Sequence, residues 1–170
     1  MNVYLFNYDD IVRNNEVFFK YAFHNSNAFS IITHMNRPYS KRPPNCDHDE
    51  MLKDLQSYLL RQIVGIRIWS NDNASDNHTV MNLYESNRRS YNILYSIGDF
   101  LQPCENELPE DICFYKDNRA WISTVSHERL AFLYSDDEAD SKFFIQNKID
   151  CSYTGKGEPY RLPTETEDYL

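Results

Sequence analysis

The chain has 170 residues, a length that favours a single domain, and its 26 acidic and 17 basic residues give a formal net charge of -9. A chain this acidic repels phosphate backbones, which argues against nucleic acid as a partner. No window comes near the roughly eighteen apolar residues that a membrane-spanning helix needs, so the sequence predicts no membrane partner. Thirteen Tyr and ten Phe supply apolar area for a sizeable core.

The charge is unevenly distributed along the chain. Residues 1–98 hold ten basic and ten acidic residues, and residues 99–170 hold seven basic and sixteen acidic ones, which accounts for the whole -9. This acidic last part is either a solvated surface or a docking face for a basic partner. Four widely spaced cysteines without a Cys-x-x-Cys pair, and the lack of a leader pattern, favour a cytoplasmic protein with reduced thiols.

The first half of the chain predicts a hairpin and then a helix. Residues 17–23 are rich in aromatic residues and favour a strand, and residues 28–33 favour its return strand. An irregular segment with three prolines follows over residues 34–47. Asp47 or Asp49 can cap a helix over residues 51–63, where apolar residues recur at spacings of one, three and four.

The next part of the chain predicts the same arrangement again. Residues 64–69 and 78–84 favour two paired strands, and residues 88–100 favour a second helix. Residues 108–134 give the clearest pattern, in which two runs rich in β-branched and aromatic residues flank the polar residues 116–119. That pattern is typical of a hairpin with a tight turn.

The last part of the chain predicts less regular structure. Residues 135–140 favour a charged loop, residues 143–145 a short strand, and residues 151–170 a flexible acidic tail. The sequence therefore predicts an α+β domain over residues 1–150. Its expected architecture is an antiparallel sheet built of three hairpins with two helices packed on one face.

One local basic cluster is a candidate site for a partner or an anion. Arg37, Lys41 and Arg42 lie in the proline-stiffened segment, with His34 at its start. Arginine presents planar, paired donors that fit carboxylate or phosphate. Two structural alternatives stay open, a cation–π contact with Tyr39 or a neighbouring ring and an intramolecular clamp on the acidic last part.

A metal site is the next possibility to weigh. The candidate ligands are His34, Cys46, His48 and His127. Zinc needs three or four ligands that converge at bond distance, and one pair spaced by a single residue is a weak signal. The sequence therefore predicts neither a metal nor another cofactor.

Nucleophilic catalysis finds little support in the residues. Ser126 and His127 are neighbours in a predicted strand, where adjacent side chains point to opposite faces, so they do not easily meet. Cys113 lies between two apolar residues and is expected to be a buried, inert thiol. We therefore expect a protein without catalytic residues.

Several stretches resemble a known family. They are Ser-Ile-Ile-Thr-His-Met-Asn-Arg-Pro-Tyr-Ser-Lys-Arg-Pro-Pro at 30–44, Asp-Glu-Met-Leu-Lys-Asp-Leu at 49–55, Leu-Leu-Arg-Gln-Ile-Val-Gly-Ile at 59–66, Leu-Pro-Glu-Asp-Ile-Cys-Phe-Tyr at 108–115 and Trp-Ile-Ser-Thr-Val-Ser-His-Glu at 121–128. The chain resembles small bacterial proteins, found largely in spore-forming bacteria, labelled stage III sporulation protein AH. The resemblance covers about residues 17–134. It implies an association with sporulation and brings no catalytic residues, and the membrane anchor of the well-described protein of that name has no counterpart in this sequence.

Three functions follow as expectations. The first is a non-catalytic interaction or regulatory protein that uses the 34–48 segment and the acidic last part of the chain. The second is an immunity-type inhibitor of a basic bacterial toxin, because complementary charge speeds encounter and selects partners. The third is a metal-dependent enzyme with His34, His48 and His127 at its site.

Overall fold

The computed structural model describes residues 1–34, 48–66, 68–69, 72–73, 79–96 and 110–163. These residues form an eight-stranded antiparallel sheet, a separate two-stranded ribbon and five α-helices. The mixed class and the antiparallel sheet predicted from the sequence are thus confirmed. No helix in these ranges is long and apolar enough to cross a membrane.

The sheet pairs segments that are distant in the sequence. Its order is β10-β1-β9-β8-β7-β2-β6-β3, so β3 and β10 are its edges, while β4 and β5 form the ribbon. The strands are β1 (Asn2–Phe6), β2 (Ala28–His34), β3 (Leu59–Val64), β4 (Ile68–Trp69), β5 (Asp72–Asn73), β6 (Thr79–Glu85), β7 (Glu110–Lys116), β8 (Arg119–Val125), β9 (Leu130–Tyr134) and β10 (Cys151–Lys156). The helices are α1 (Tyr8–Arg13), α2 (Asn15–Asn25), α3 (His48–Leu55), α4 (Arg88–Tyr95) and α5 (Glu138–Gln146).

Two apolar clusters lie on the two faces of the sheet. The first joins the strands to buried residues of all five helices. The second contains no helical residue and includes Ile66, Trp69 and Leu162. Alternation along β7 separates the clusters, since Phe114 belongs to the first and Cys113 to the second. The side chain of Cys113 is buried, as expected.

The predicted turn at residues 116–119 is confirmed. Lys116 pairs with Arg119, and Asp117 and Asn118 between them have φ angles of 50° and 62°. Positive φ at both central residues is the signature of the two-residue turn whose twist matches a hairpin. The second run of the predicted hairpin is divided, because a 3-10 turn over Ser126–Glu128 separates β8 from β9. The three strands therefore form a meander.

The strand predicted for residues 17–23 is wrong, because these residues lie in α2. Phe18, Phe19, Ala22 and Phe23 are all buried, and that spacing places them on one helical face against the sheet. Aromatic residues favour strands as a class, but here burial of a helical face decides. The first predicted hairpin is therefore absent, since β2 pairs with β6 and β7.

The two later helix predictions have different outcomes. The helix predicted for residues 51–63 ends at Leu55, and a 3-10 turn leads into β3 at Leu59. The strand therefore starts earlier than predicted, because β3 covers Leu59–Val64 whereas the prediction placed a strand over residues 64–69. The helix predicted from residue 88 is confirmed to Tyr95, with Asn87 as its cap, and the rest of that prediction lies outside the described residues.

The structure also differs from the prediction near the C-terminal end. Residues 138–146 form α5, where the sequence suggested a loop and a short strand. Asp137 caps this helix by accepting a hydrogen bond from the amide of Ala139. Cys151–Lys156 forms β10 and pairs with β1, where the sequence suggested a flexible tail. Residues 164–170 of the expected tail lie outside the described part.

Stability is expected to fall as the pH rises above about 9. Burial raises the pKa of the Cys151 thiol to about 11 and that of Tyr84 to about 12. In the unfolded chain the thiol and the phenol lose their protons at about pH 8.5 and 10. The folded chain holds these protons to higher pH, so the stability they contribute is complete below the unfolded-state pKa values and is lost as the pH rises through the folded-state values. Urea midpoints should therefore decrease steadily above about pH 9. The Cys151→Ala variant should show a weaker decrease, and a decrease equal to that of the wild type would contradict the role of this thiol.

Candidate functional site: an arginine-lined groove

One end of the sheet carries a groove rich in arginine. At this end β6 and β7 finish, and β3 and β8 begin. The groove has a volume of about 570 Å³. We call it the arginine groove, and its described lining consists of Arg61, Leu83, Asp117, Asn118, Arg119, Arg161, Leu162 and Pro163. Its lining therefore contains three arginines and one carboxylate.

Three separate segments bring these arginines together. Arg61 lies in β3 opposite Leu83 of β6. Arg119 is the first residue of β8, directly after the tight turn. Arg161 lies in the segment after β10 and forms an antiparallel bridge with Arg119. The groove thus depends on sheet pairing and on the return of the chain after β10.

The returning segment is fixed by backbone hydrogen bonds. The amide of Ala120 donates to the carbonyl of Tyr160 at 2.8 Å, and the amide of Leu162 donates to the carbonyl of Asn118 at 3.0 Å. Leu162 is buried in the second apolar cluster. These contacts hold Arg161 beside the start of β8.

The three arginines differ in how firmly they are held. The Nη2 atom of Arg61 donates a hydrogen bond to the carbonyl of Pro163 at 2.7 Å, and this side chain is half-buried. Arg119 and Arg161 are exposed, and within the described ranges no ion pair joins either one to a carboxylate. The three guanidinium groups outnumber the one carboxylate of the described lining, Asp117, so the formal charge of this lining is positive, which favours the approach of an anion.

The described lining has the chemistry to bind an anion. Guanidinium groups offer paired donors that suit carboxylates, and the tight turn gives the groove a rigid wall. None of the eight lining residues is Ser, Thr, Cys, His or Lys. Asp117 is the one residue of the described lining that belongs to a class of common nucleophiles.

A second groove of about 570 Å³ lies between α2 and α4, with Lys20, His24 and Arg88 among its lining residues. It is less suited to an anion. Lys20 already pairs with Glu16, and the first amides of α4 already donate to the side chain of Asn87. The helix terminus therefore has fewer free donors than an anion site needs.

The predicted site residues lie only partly within the described part of the structure. Arg37, Lys41, Arg42 and Cys46 lie outside the described residues. His34 ends β2, and His48 begins α3. His127 is exposed in the 3-10 turn after β8. His34 and His127 both lie at the end of the sheet opposite the arginine groove. Among the described residues, no group of three or more His, Cys, Asp or Glu side chains is placed to hold a metal ion.

Ser126 and His127 also do not form a catalytic pair in the described structure. Ser126 is buried, whereas His127 is exposed. The amide of Ser126 donates to Oδ1 of Asp111 at 2.8 Å, and Oδ2 of the same carboxylate accepts from Nε1 of Trp69 at 3.0 Å. Asp111 therefore joins the start of β7 to the 3-10 turn and to β4, which is a structural role.

The acidic segment over residues 135–140 has structural roles as well. Asp136 accepts a hydrogen bond from the amide of Asn2 at 2.8 Å. Asp137 caps α5, and Glu138 pairs with Lys142. These contacts favour local stabilisation over a docking face for a basic partner.

No protein-family model, no curated protein and no solved structure matches this chain. The function is therefore inferred from the groove itself. Sequence patterns gave no local signal for it, because the three arginines lie 58 and 42 residues apart along the chain. Only the pairing of β3 with β6, and of residue 161 with residue 119, brings them to one place.

Proposed function

We propose that this chain is a non-catalytic interaction protein that binds an acidic segment of a partner protein in the arginine groove. The observation that supports this is the convergence of Arg61, Arg119 and Arg161 on one groove. Like charges held together raise the energy of the free protein, and a bound carboxylate relieves that repulsion. The groove is open at the surface, which suits a peptide segment.

Two features favour a protein partner over nucleic acid. The formal net charge of the chain is -9, which opposes the approach of a polyanionic backbone. None of the described residues that line the groove is aromatic, so this lining offers no platform on which bases could stack. A short segment with a few carboxylates fits three arginines better than a long phosphate backbone does.

A regulatory role in a spore-forming bacterium, which the family resemblance implies, is part of this proposal. The immunity-type inhibitor differs in the charge of its partner, because it would bind a basic protein. An acidic and a basic peptide of equal length therefore distinguish the two functions. The proposal expects binding of the acidic peptide alone.

The proposal is tested with Arg119→Ala combined with Arg161→Ala. Both side chains are exposed, so the fold should be retained. With a labelled peptide of alternating glutamate and valine, loss of the two cations should weaken binding about 2- to 30-fold, since exposed ion pairs contribute roughly 0.2–1 kcal/mol each. Fluorescence anisotropy at low salt measures the affinity, which should also fall as salt is added.

A matched control is Lys20→Ala combined with Arg88→Ala, which changes the net charge equally at the second groove. This control should bind the peptide like the wild type. Equal losses in both double variants would show that only the total charge matters and would overturn the arginine groove as the site. Tighter binding of an oligonucleotide than of the peptide would overturn the choice of partner.

A further inference from the structure

The edge strand β3 begins at the arginine groove, and its outer side has the features of a strand-docking site. We infer that the acidic segment of the partner adds to β3 as a further strand of the sheet. This inference rests on the proposed function and specifies how the segment binds. Strand addition supplies main-chain hydrogen bonds for affinity, and side chains at alternate positions supply specificity.

The backbone of β3 has a defined outer side. The amide of Gly65 donates to the carbonyl of Thr79 on β6 at 2.9 Å. In an antiparallel pair, residues alternate between those that bond to the neighbouring strand and those that face away from it. The backbone N–H and C=O groups of Arg61 and Ile63 therefore point to β6, and those of Gln62 and Val64 point to the outer edge of the sheet.

The side chains of β3 are unusually apolar for an exposed edge. Leu60 is 57% exposed and Val64 is 59% exposed. The only other large apolar side chains with comparable exposure in the described ranges are Ile145 and Tyr153, which lie on separate elements. Two such residues on one short edge strand are typical of a surface that pairs with another chain.

The opposite edge of the sheet is protected against such pairing. Gly155 in β10 has a φ of 141°, and the register with β1 shifts between Val3 and Tyr4. β10 ends at Lys156, a charged residue that discourages pairing at an edge. The register of β3 with β6 also shifts, between Leu59 and Arg61, so β3 differs from β10 chiefly in its two exposed apolar side chains, and these make it the edge we assign to the partner.

The pattern of β3 defines the chemistry of its partner. Arg61 and Val64 are three positions apart, so their side chains lie on opposite faces of the sheet. A bound strand therefore places carboxylates on the face of Arg61 and apolar side chains on the face of Val64. The partner segment should alternate acidic and apolar residues over a length of roughly 10 Å or more.

The test replaces Val64 with proline. Proline removes an outward amide and leaves the hydrogen bonds to β6 in place, which an edge strand tolerates. Val64→Ala is the control, because it shortens the side chain but keeps the amide. With the peptide of alternating glutamate and valine, we expect a loss of affinity of at least about tenfold for Val64→Pro and a small change for Val64→Ala.

A second probe is the same peptide with methyl groups on alternate backbone amides. We expect this methylated peptide to bind the wild type as weakly as the unmethylated peptide binds Val64→Pro. Circular dichroism establishes that Val64→Pro is folded, and the methylated peptide gives a result independent of that variant. If both retain full binding while the Arg119 and Arg161 variant loses it, strand addition is wrong and the proposed function stands. If that arginine variant also retains binding, the proposed function itself fails. A dimer of the wild type that Val64→Pro abolishes, without peptide binding, would identify a second copy of this chain as the occupant and overturn the inference.

Discussion

Replacing Asp140 with alanine is expected to lower the free energy of unfolding by about 3–5 kcal/mol. This carboxylate is buried and accepts hydrogen bonds from the Tyr21 hydroxyl at 2.8 Å, Trp121 Nε1 at 2.9 Å and the Ser135 hydroxyl at 2.6 Å. The Lys116 ammonium lies 3.6 Å away. Removing the acceptor leaves several buried donors and a partly buried cation without their common partner.

The electrostatics around Asp140 agree with this role. Burial, and then the hydrogen bond to Asp140, raise the pKa of Tyr21. Burial lowers the pKa of Lys116 even though Asp140 opposes that change. The Lys116 ammonium also lies 3.4 Å from the centre of the Trp121 ring, which adds a cation–π contact. The network therefore joins α2, β7, β8 and α5 through one carboxylate.

Urea unfolding of Asp140→Ala measures this effect. Glu138→Ala is the matched control, because Glu138 lies on the same helix but forms only an exposed ion pair with Lys142. We expect the control to change stability by less than about 0.5 kcal/mol. A loss below about 1 kcal/mol for Asp140→Ala would contradict a central structural role for this carboxylate.

Replacing Phe144 with alanine is expected to cost about 3–5 kcal/mol, because it removes a fully buried aromatic side chain. Its ring centre lies 4.9 Å from that of Phe6, 5.1 Å from that of Tyr21 and 5.8 Å from that of Phe18. Phe144 thus connects α5 to α2 and to β1. Truncation to alanine would remove all of these ring contacts at once and leave a cavity.

The neighbouring Ile145 provides the control for Phe144. It is 53% exposed, so Ile145→Ala should change stability by less than about 0.5 kcal/mol. Thermal or urea unfolding of the two variants measures the difference. Equal losses at both positions would contradict the orientation of α5.

The parts of the fold that the sequence predicts have strong local signals. The β7–β8 turn combines an Asp-Asn pair, which tolerates positive φ, with flanking β-branched and aromatic residues. The helix α4 has an asparagine cap and a clear apolar face. In both cases local preference and tertiary packing favour the same structure.

The elements that the sequence analysis missed are those in which packing opposes the local preference. Phe18 and Phe19 in α2, like Phe143 and Phe144 in α5, favour strands by type but pack on helical faces. Asp140 resembles a surface charge in the sequence, although it is buried one turn before Phe144. β10 pairs with β1, at the other end of the chain, and no local pattern indicates such a partner.

The candidate site was missed for a similar reason. Charges that are neighbours in the sequence indicated Arg37, Lys41 and Arg42, which lie outside the described residues. The arginine groove is built from single arginines on β3, on β8 and on the returning segment. Single exposed arginines are common, and only the three-dimensional arrangement makes these three a site.

The most direct test of the arginine groove is an NMR titration of the amide spectrum with the peptide of alternating glutamate and valine. We expect saturable shifts that are largest at Arg61, Arg119 and Arg161, with further shifts along Gln62 to Val64. Shifts confined to the groove between α2 and α4, or shifts that do not saturate, would contradict the arginine groove as the site.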